Sequence, residues 1–480
     1  MCLLLVSLFP FLVDTVGSSP LASPATSIST NGTISADTLA PTSASNTCTD
    51  IATSRTRRTI VCSSLATILA CVWTAVHRNV PGLSKADASR FWRIMGPVPE
   101  AAKIVVVTLL VPEWVLAWAV RQFLTARAVE RELEAARSDA KAVWDAKIEL
   151  LREMTRGTAQ KEPTAVIQRY HKDGVRVAHH RVPRADWTAR HGFLVITGGF
   201  HYYENGEPQC PLSRWDAIEL AKTGGLVPPT EQEIRGWSQR NALSKIFAVI
   251  QTLWFIVQAA ARSVEGPSLT QLAIMTLGYT TITVAMYIAW WDKPQNIGGP
   301  VRVSVKRLPE PKPAVELGRL RRLFRVIAGS QDDDVDLRRK RGVPTFYSGR
   351  NKNDDYDLYG DLVALAAAMV FGAVHCAAWN NTFPSHAEQV IWRFSSLAII
   401  ALPGVMLAAT LLLWSLTWAR ASTVVKVAFF FMLVLAFVVV APVYVAARSL
   451  LLVLSFTTLR SLPLDAYEAV QWTLLIPHFT

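Results

Sequence analysis

The sequence predicts an all-α polytopic membrane protein, with about six to eight transmembrane helices and a small mixed α/β-like cytoplasmic insert. Three observations lead there. Of 480 residues, 51% are hydrophobic and only 18% charged, against about 45–50% and 25% in ordinary soluble domains. The excess, which lifts mean hydropathy to +0.26, is gathered in runs of about 20 residues. That is the helix length needed to cross a hydrocarbon core about 30 Å thick. Several of the 16 Trp stand at the ends of those runs, among them Trp73, Trp118, Trp290, Trp291, Trp392 and Trp418, where an amphipathic ring suits the headgroup level.

Taken in order, residues 1–16 are apolar and followed by small residues, the pattern of a signal peptide, although no Lys or Arg precedes the run. Residues 17–58 are rich in Ser, Thr and Pro and nearly bare of large apolar groups. Such a segment cannot offset its ordering entropy, so a disordered luminal tail is expected. It carries a glycosylation sequon at Asn31. Residues 59–120 hold a first span and then "AKIVVVTLLVPEWVLAWAV" (102–120), interrupted by Pro112 and Glu113. The proline removes a helical hydrogen bond, and the carboxylate needs a partner, a proton or burial against protein.

Residues 121–157 alternate apolar and charged groups at helical spacing and read as an amphipathic helix. A small module is expected over 158–241. In it Asn205-Gly206 marks a hairpin turn, Gly224-Gly225 close one helix, and Thr230 with Glu233 opens another. Residues 242–291 form a two-span hairpin, 292–361 a loop of basic and acidic clusters, and 362–480 the C-terminal membrane helices. Within the last, 423–458 is long for one span. It reads either as a tilted span continuing into an interfacial helix from about Arg448, or as two helices broken near Pro442.

Lys and Arg favour the cytoplasmic side of short loops. Arg78, Lys85, Arg90, Arg93 and Lys103 precede the Pro-Glu run, and an Arg-rich segment follows it. Both flanks therefore belong on one side, and 102–120 is expected to enter and leave, against the competing reading of a genuine span. Loops 78–241 and 292–361 become cytoplasmic. The loops at 263–268 and 380–392 become luminal, the second carrying a sequon at Asn380.

Two groups of residues are candidates for chemistry. In "GAVHCAAWNNTFPSHAEQVIWRFSS" (372–396), His375, Glu388 and Arg393 fall where two helix ends meet. A His beside a carboxylate can act as a general base and an Arg can hold an anionic group. The same residues also suit a membrane-surface collar. Inside the spans, Glu113 stands with Gln251, Gln258 and Arg262, the last three on one helix face. That stripe lines a polar path or glues helices together. His179, His180, His191, His201 and Cys210 lack zinc-site spacing, and Gly198-Gly199 and Gly298-Gly299 lack a phosphate-cradle context. No metal and no cofactor is therefore expected. The net charge of +12 fits loops facing anionic lipid, and no nucleic-acid-binding motif accompanies it.

"CVWTAVHRNVPG" (71–82), "VPEWVLAWAVRQF" (111–123), "HGFLVITGGF" (191–200), "ALSKIFAVIQTLWFIVQAAAR" (242–262) and "AWWDKPQNIGGPV" (289–301), with the 372–396 stretch and "LRSLPLDAYEAVQWTLLIPHF" (459–479), resemble a family of fungal polytopic integral membrane proteins of unassigned function. The resemblance implies a fungal protein of an endomembrane or the plasma membrane with this order of spans. It supplies no catalytic residue, ligand or cofactor. Residues 326–360 are the part least expected to match. Three function classes follow: a structural, scaffold or interaction role, with the bilayer and proteins at the cytoplasmic loops as partners; a channel or transporter; and a membrane enzyme acting on a lipid-like substrate.

Overall fold

A computed structural model describes residues 55–80, 82, 98–156, 186–266, 268–295, 297, 299–304, 318, 325, 331–349, 355–418 and 422–468. The signal-peptide segment, Asn31 with most of the 17–58 tail, and His179 and His180 lie outside these residues.

Helices dominate. In chain order they are α1 (Arg57–Ala75), α2 (Val98–Leu110), α3 (Pro112–Arg156), α4 (Ala189–Ile196), α5 (Arg214–Lys222), α6 (Glu231–Glu265), α7 (Gln271–Ala289), α8 (Tyr356–His375), α9 (His386–Trp418) and α10 (Thr423–Thr457). Three short strands accompany them: β1 (Phe200–Glu204), β2 (Glu207–Pro211) and β3 (Val301–Ser304). Among the described residues six helices are long and apolar enough to cross a membrane: α1, α6 over Ile246–Val264, α7, α8, α9 and α10. Hydroxyl side chains start several of them. Thr56, Thr230, Thr270 and Ser422 each accept a first-turn backbone N–H that has no partner within its helix.

Consecutive apolar helices pack side by side, α8 on α9 and α9 on α10, while α7 sits among α1, α3, α8 and α10. One end of the bundle collects the α1 C-terminus, residues 290–295 and residues 331–349; the other collects 268–271, 376–386 and 458–468. At that second end Arg262 donates to the carbonyls of Ser268, Asp465, Ala466 and Glu468. Asn381 donates to Leu269 O, and Ser268 N donates to the Asp465 carboxylate.

The Pro-Glu run becomes an elbow. Val111 leaves the helical path and the chain turns by 113° between α2 and α3. Proline forces this, because its ring disfavours the helical conformation of the residue before it and it has no N–H to donate. From the elbow α3 runs 45 residues without interruption, about 67 Å. The amphipathic stretch expected from residue 121 is therefore the continuation of the membrane-type helix begun at Pro112.

The C-terminal run differs from both sequence readings. α10 is one helix of 35 residues with Pro442 inside it, and Arg448 is 1% exposed within the bundle. The interfacial helix expected from Arg448 is thus corrected. Its charge lies inside because a carboxylate on another helix meets it there.

The described parts of the 158–241 module and of the 292–361 loop share one sheet. β1 and β2 pair antiparallel around Asn205 (φ 52°) and Gly206 (φ 86°), a turn whose two positive φ values match the twist of a tight hairpin. β3, from the later loop, pairs parallel with β1, giving the order β2-β1-β3. The connection from β1 to β3 contains β2, α5, α6 and α7, so two apolar helices lie in sequence between neighbouring strands of one sheet. The module packs on α3 through α4 and α5. Its buried residues, such as Phe193, Phe200 and Leu212, belong to the same hydrophobic cluster as Trp118, Met275 and Phe371 of the bundle.

Candidate functional site

At the elbow, Glu113 occupies the first turn of α3, where the positive end of the helix dipole favours a carboxylate. Tyr279, the ninth residue of α7 and so at mid-length, donates to Leu109 O at the end of α2. The elbow therefore sits at half the depth of the bundle. Arg448 of α10 reaches it: Nη1 lies 3.3 Å from Glu113 Oε2 and 3.4 Å from Tyr444 Oη. The two side chains are 2% and 8% exposed. The guanidinium carbon stands 3.7 Å from the Phe371 ring centroid and 5.3 Å from that of Tyr279. Arg448 Nε and Nη2 and Glu113 Oε1 are buried and make no hydrogen bond among the described residues. Separating such a pair leaves a charge stranded away from water, which typically costs about 3–5 kcal/mol.

Beyond Tyr279 and past the C-terminus of α7, a second buried cation closes the bundle. Lys293 is 1% exposed. Its Nζ donates to His77 O and, over 2.7 Å, to Gln122 Oε1, and lies 3.4 Å from Asn79 Oδ1. It also stands 4.8 Å from the Trp118 ring centroid and 4.6 Å from that of Trp290, close enough for cation–π attraction. Gln122 accepts from Trp290 Nε1 and donates to Asn79 and to Tyr347 O, while Trp118 Nε1 also donates to Tyr347 O. Neutral acceptors and two aromatic faces stand around the ammonium.

The expected His375, Glu388 and Arg393 cluster does not form. His375 is fully buried and turned toward α7. Its Nδ1 is 2.7 Å from Phe371 O and its Nε2 3.4 Å from Met275 Sδ. Arg393 donates twice to Trp379 O and stacks on the Trp379 ring. Glu388 lies half-buried in the first turn of α9, and among the described residues no ion pair joins it to Arg393. The reason is local: carbonyls leaving α8 lack helical partners, and the guanidinium satisfies one.

The Gln/Arg stripe separates as well. Gln251 Nε2 lies 3.4 Å from Thr67 Oγ1, joining α6 to α1. Gln258 is half-buried. Arg262 is held by backbone carbonyls of the 465–468 turn, away from Glu113. Asn380 is exposed in the turn between α8 and α9. A niche of about 10 Å³ beside it, lined by Ser268, Gln271, Asn381 and Thr382 among others, has room for about one water.

His191 and His201 serve the module. His191 Nδ1 accepts from Thr188 N, so Nε2 carries the proton toward Pro229 O at 2.7 Å. His201 Nε2 is 3.3 Å from Arg341 O. Burial holds both imidazoles below their ordinary value. Burial likewise pushes the Cys210 thiol up to about 11.

Sequence reasoning found Glu113 and missed its partner. The available signal is a lone Arg inside a 35-residue apolar helix, which by itself fits a helix leaving the apolar layer as well as a buried ion pair. Lys293 carried no sequence signal, since a carbonyl, two side-chain amides and two rings from distant positions meet it.

No curated protein and no solved structure matches this chain. The model of a family described as a family of unknown function (DUF8562) matches residues 33–308 and 351–479. The unmatched stretch falls mostly within the region least expected to match, yet its described part is built into the core. Tyr347 O receives Trp118 and Gln122, Pro344 O receives Asn79, and Arg338 pairs with Asp216. With the match spanning most of the sequence, the chain belongs to the family of unknown function DUF8562.

Proposed function

We propose that this chain is an integral membrane scaffold: its six apolar helices cross a bilayer, and it holds a folded module rigidly against one face. In this reading α2 and the start of α3 form a re-entrant hairpin. The module end is cytoplasmic, Asn380 is luminal, and the resemblance to fungal membrane proteins fits a fungal endomembrane or plasma membrane. One observation carries the scaffold reading. α3 runs unbroken from an elbow at mid-depth to the module, and a single hydrophobic core continues with it. A lever of this kind fixes the module's position and orientation, which is what a partner arriving from the cytoplasmic loops requires. The placements of Arg262 on backbone carbonyls and of His375 against Met275 remove the support the channel and enzyme readings drew from those residues.

Trp215 and Val227 are 60% and 65% exposed on the module, so replacing both by Ser leaves its core intact. With a proximity-labelling enzyme inserted in the 309–330 segment, the double variant is expected to reach the membrane normally and to lose part of the labelled set. An identical set of labelled neighbours contradicts the scaffold reading.

A further inference from the structure

Building on the bilayer reading, we propose that the outer half of the α9–α10 hairpin, residues 407–418 and 423–441, is a lipid-binding surface. It bends away from the bundle at Pro403 and Pro442 and lies in the acyl layer of the leaflet on the module side. The argument starts from length. α7 and α8 have 19 and 20 residues, whereas α9 and α10 have 33 and 35. At 1.5 Å per residue the first two match a hydrocarbon core about 30 Å thick, and the second two exceed it by about 20 Å. An apolar helix that is too long tilts or kinks. Tilting as one body is blocked here, because the inner half is locked into the bundle. Ile400 of α9 fills the space beside Gly372 of α8, where an added Cβ would lie 2.7 Å from it. Trp392 donates to His375 O, and Arg448 holds α10 against Glu113.

The lock ends where the prolines stand. Met406 of α9 and Tyr444 of α10 are buried, and no described side chain of 407–416 or 423–443 is. Measured from the short connection between the helices, Pro403 and Pro442 lie within about one turn of the same level. Proline is the usual cause of a sharp helix kink, and Gly404 follows the first of them. Beyond that level the exposure is on all sides. Phe430, Phe431 and Met432 are consecutive and all exposed, so at about 100° per residue they wrap more than half of the helix. A protein partner seats on one stripe, whereas acyl chains cover every side. Lys426 is the one charged residue of 407–418 and 423–441, and Trp414 stands toward the same tip. A cation in the first turn of α10 gains nothing from its own helix dipole. It and a Trp ring both suit a surface of anionic headgroups.

The test uses the full chain, without other reactive thiols, in nanodiscs of phosphatidylcholine and phosphatidylserine. Val427→Cys, Phe431→Cys, Leu435→Cys and Val438→Cys each carry a nitroxide at an exposed position along one face of α10. Collision with oxygen against collision with a water-soluble nickel chelate reads the depth of each label. Leu253→Cys and Phe394→Cys, exposed on α6 and on the inner half of α9, report on the bilayer reading itself. The four labels are expected to meet oxygen and not nickel, at depths that agree within about 5 Å, one helical turn. A steady change of about 16 Å from 427 to 438 means an upright hairpin and overturns the proposal. Nickel access at all four sites, which leaves the hairpin in water, overturns it too. So does loss of both collisions with spin–spin broadening between copies, since a second chain then covers the surface. If the labels at 253 and 394 also meet nickel, the bilayer reading itself fails; if those two meet oxygen alone, only the bend is lost.

Discussion

Arg448 and Glu113 illustrate how much one pair of side chains can decide. Each is costly alone in an apolar bundle, and together they fix the elbow against α10 at a defined depth. Replacing Arg448 by Met is expected to cost about 3–5 kcal/mol by stranding Glu113. Adding Glu113→Gln should recover a large part of that loss, so a double-mutant cycle read as thermal stability in nanodiscs gives strong coupling. The same cycle on Glu388→Gln and Arg393→Met should give about 0–1 kcal/mol at most, since those side chains do not meet. Coupling near zero for the first pair, or large coupling for the second, contradicts the geometry. The module's histidines make a separate prediction. Burial lowers their folded values below the ordinary one, so the unfolded chain binds more protons between the two. Stability is therefore full above about pH 6.5 and falls as pH drops through it. Melting at pH 7.5 and pH 5.5 should reveal that fall, and His191→Gln with His201→Gln should flatten it; a wild type that is equally stable at both is inconsistent with neutral buried imidazoles.

Among the elements, α3 explains most of what distinguishes this fold from a plain helix bundle. Pro112 turns the chain, Glu113 is anchored, and the helix then runs on to carry α4 and α5. The contact between α3 and α4 is unusually close: a Cβ added at Gly192 would lie 2.1 Å from Ala126 O. Gly192→Ala must therefore push the two helices apart, at an expected cost of about 1–3 kcal/mol. A lowered thermal midpoint with the bundle still inserted is the predicted result, and an unchanged midpoint would argue against that packing. Local signals in this region were legible from the sequence. Asn205-Gly206, the Thr230–Glu233 capping box and the Pro112 break each act over a few residues, and each stands where its chemistry places it. The joining of β3 to β1 was not legible, because a four-residue parallel strand, across a crossover of two long helices, leaves no pattern of its own. For the same reason the 292–361 loop read as separate from the module it completes.

For the whole molecule, hydropathy was enough to find six membrane-length helices, and charge alone could not tell a span from a hairpin at 102–120. The candidate site was half legible: Glu113 stood out as a carboxylate in an apolar run, while Arg448 lies 335 residues away and only the packing of α3 on α7 and α8, and of α7 on α10, brings it close. His375 and Arg393 drew attention through spacing, yet spacing along one chain says nothing of which way a ring turns. The central claim is that α2 and α3 form a hairpin that enters the bundle and leaves on the module side, its tip held by Arg448. The most direct measurement places single cysteines at Arg90, Leu150 and Thr382 in a background without other reactive thiols. Each is then labelled in sealed vesicles with a membrane-impermeant maleimide. The account predicts that 90 and 150 react from the same side and 382 from the opposite one. Labelling of 90 and 150 from opposite sides would make 102–120 a true span and contradict it.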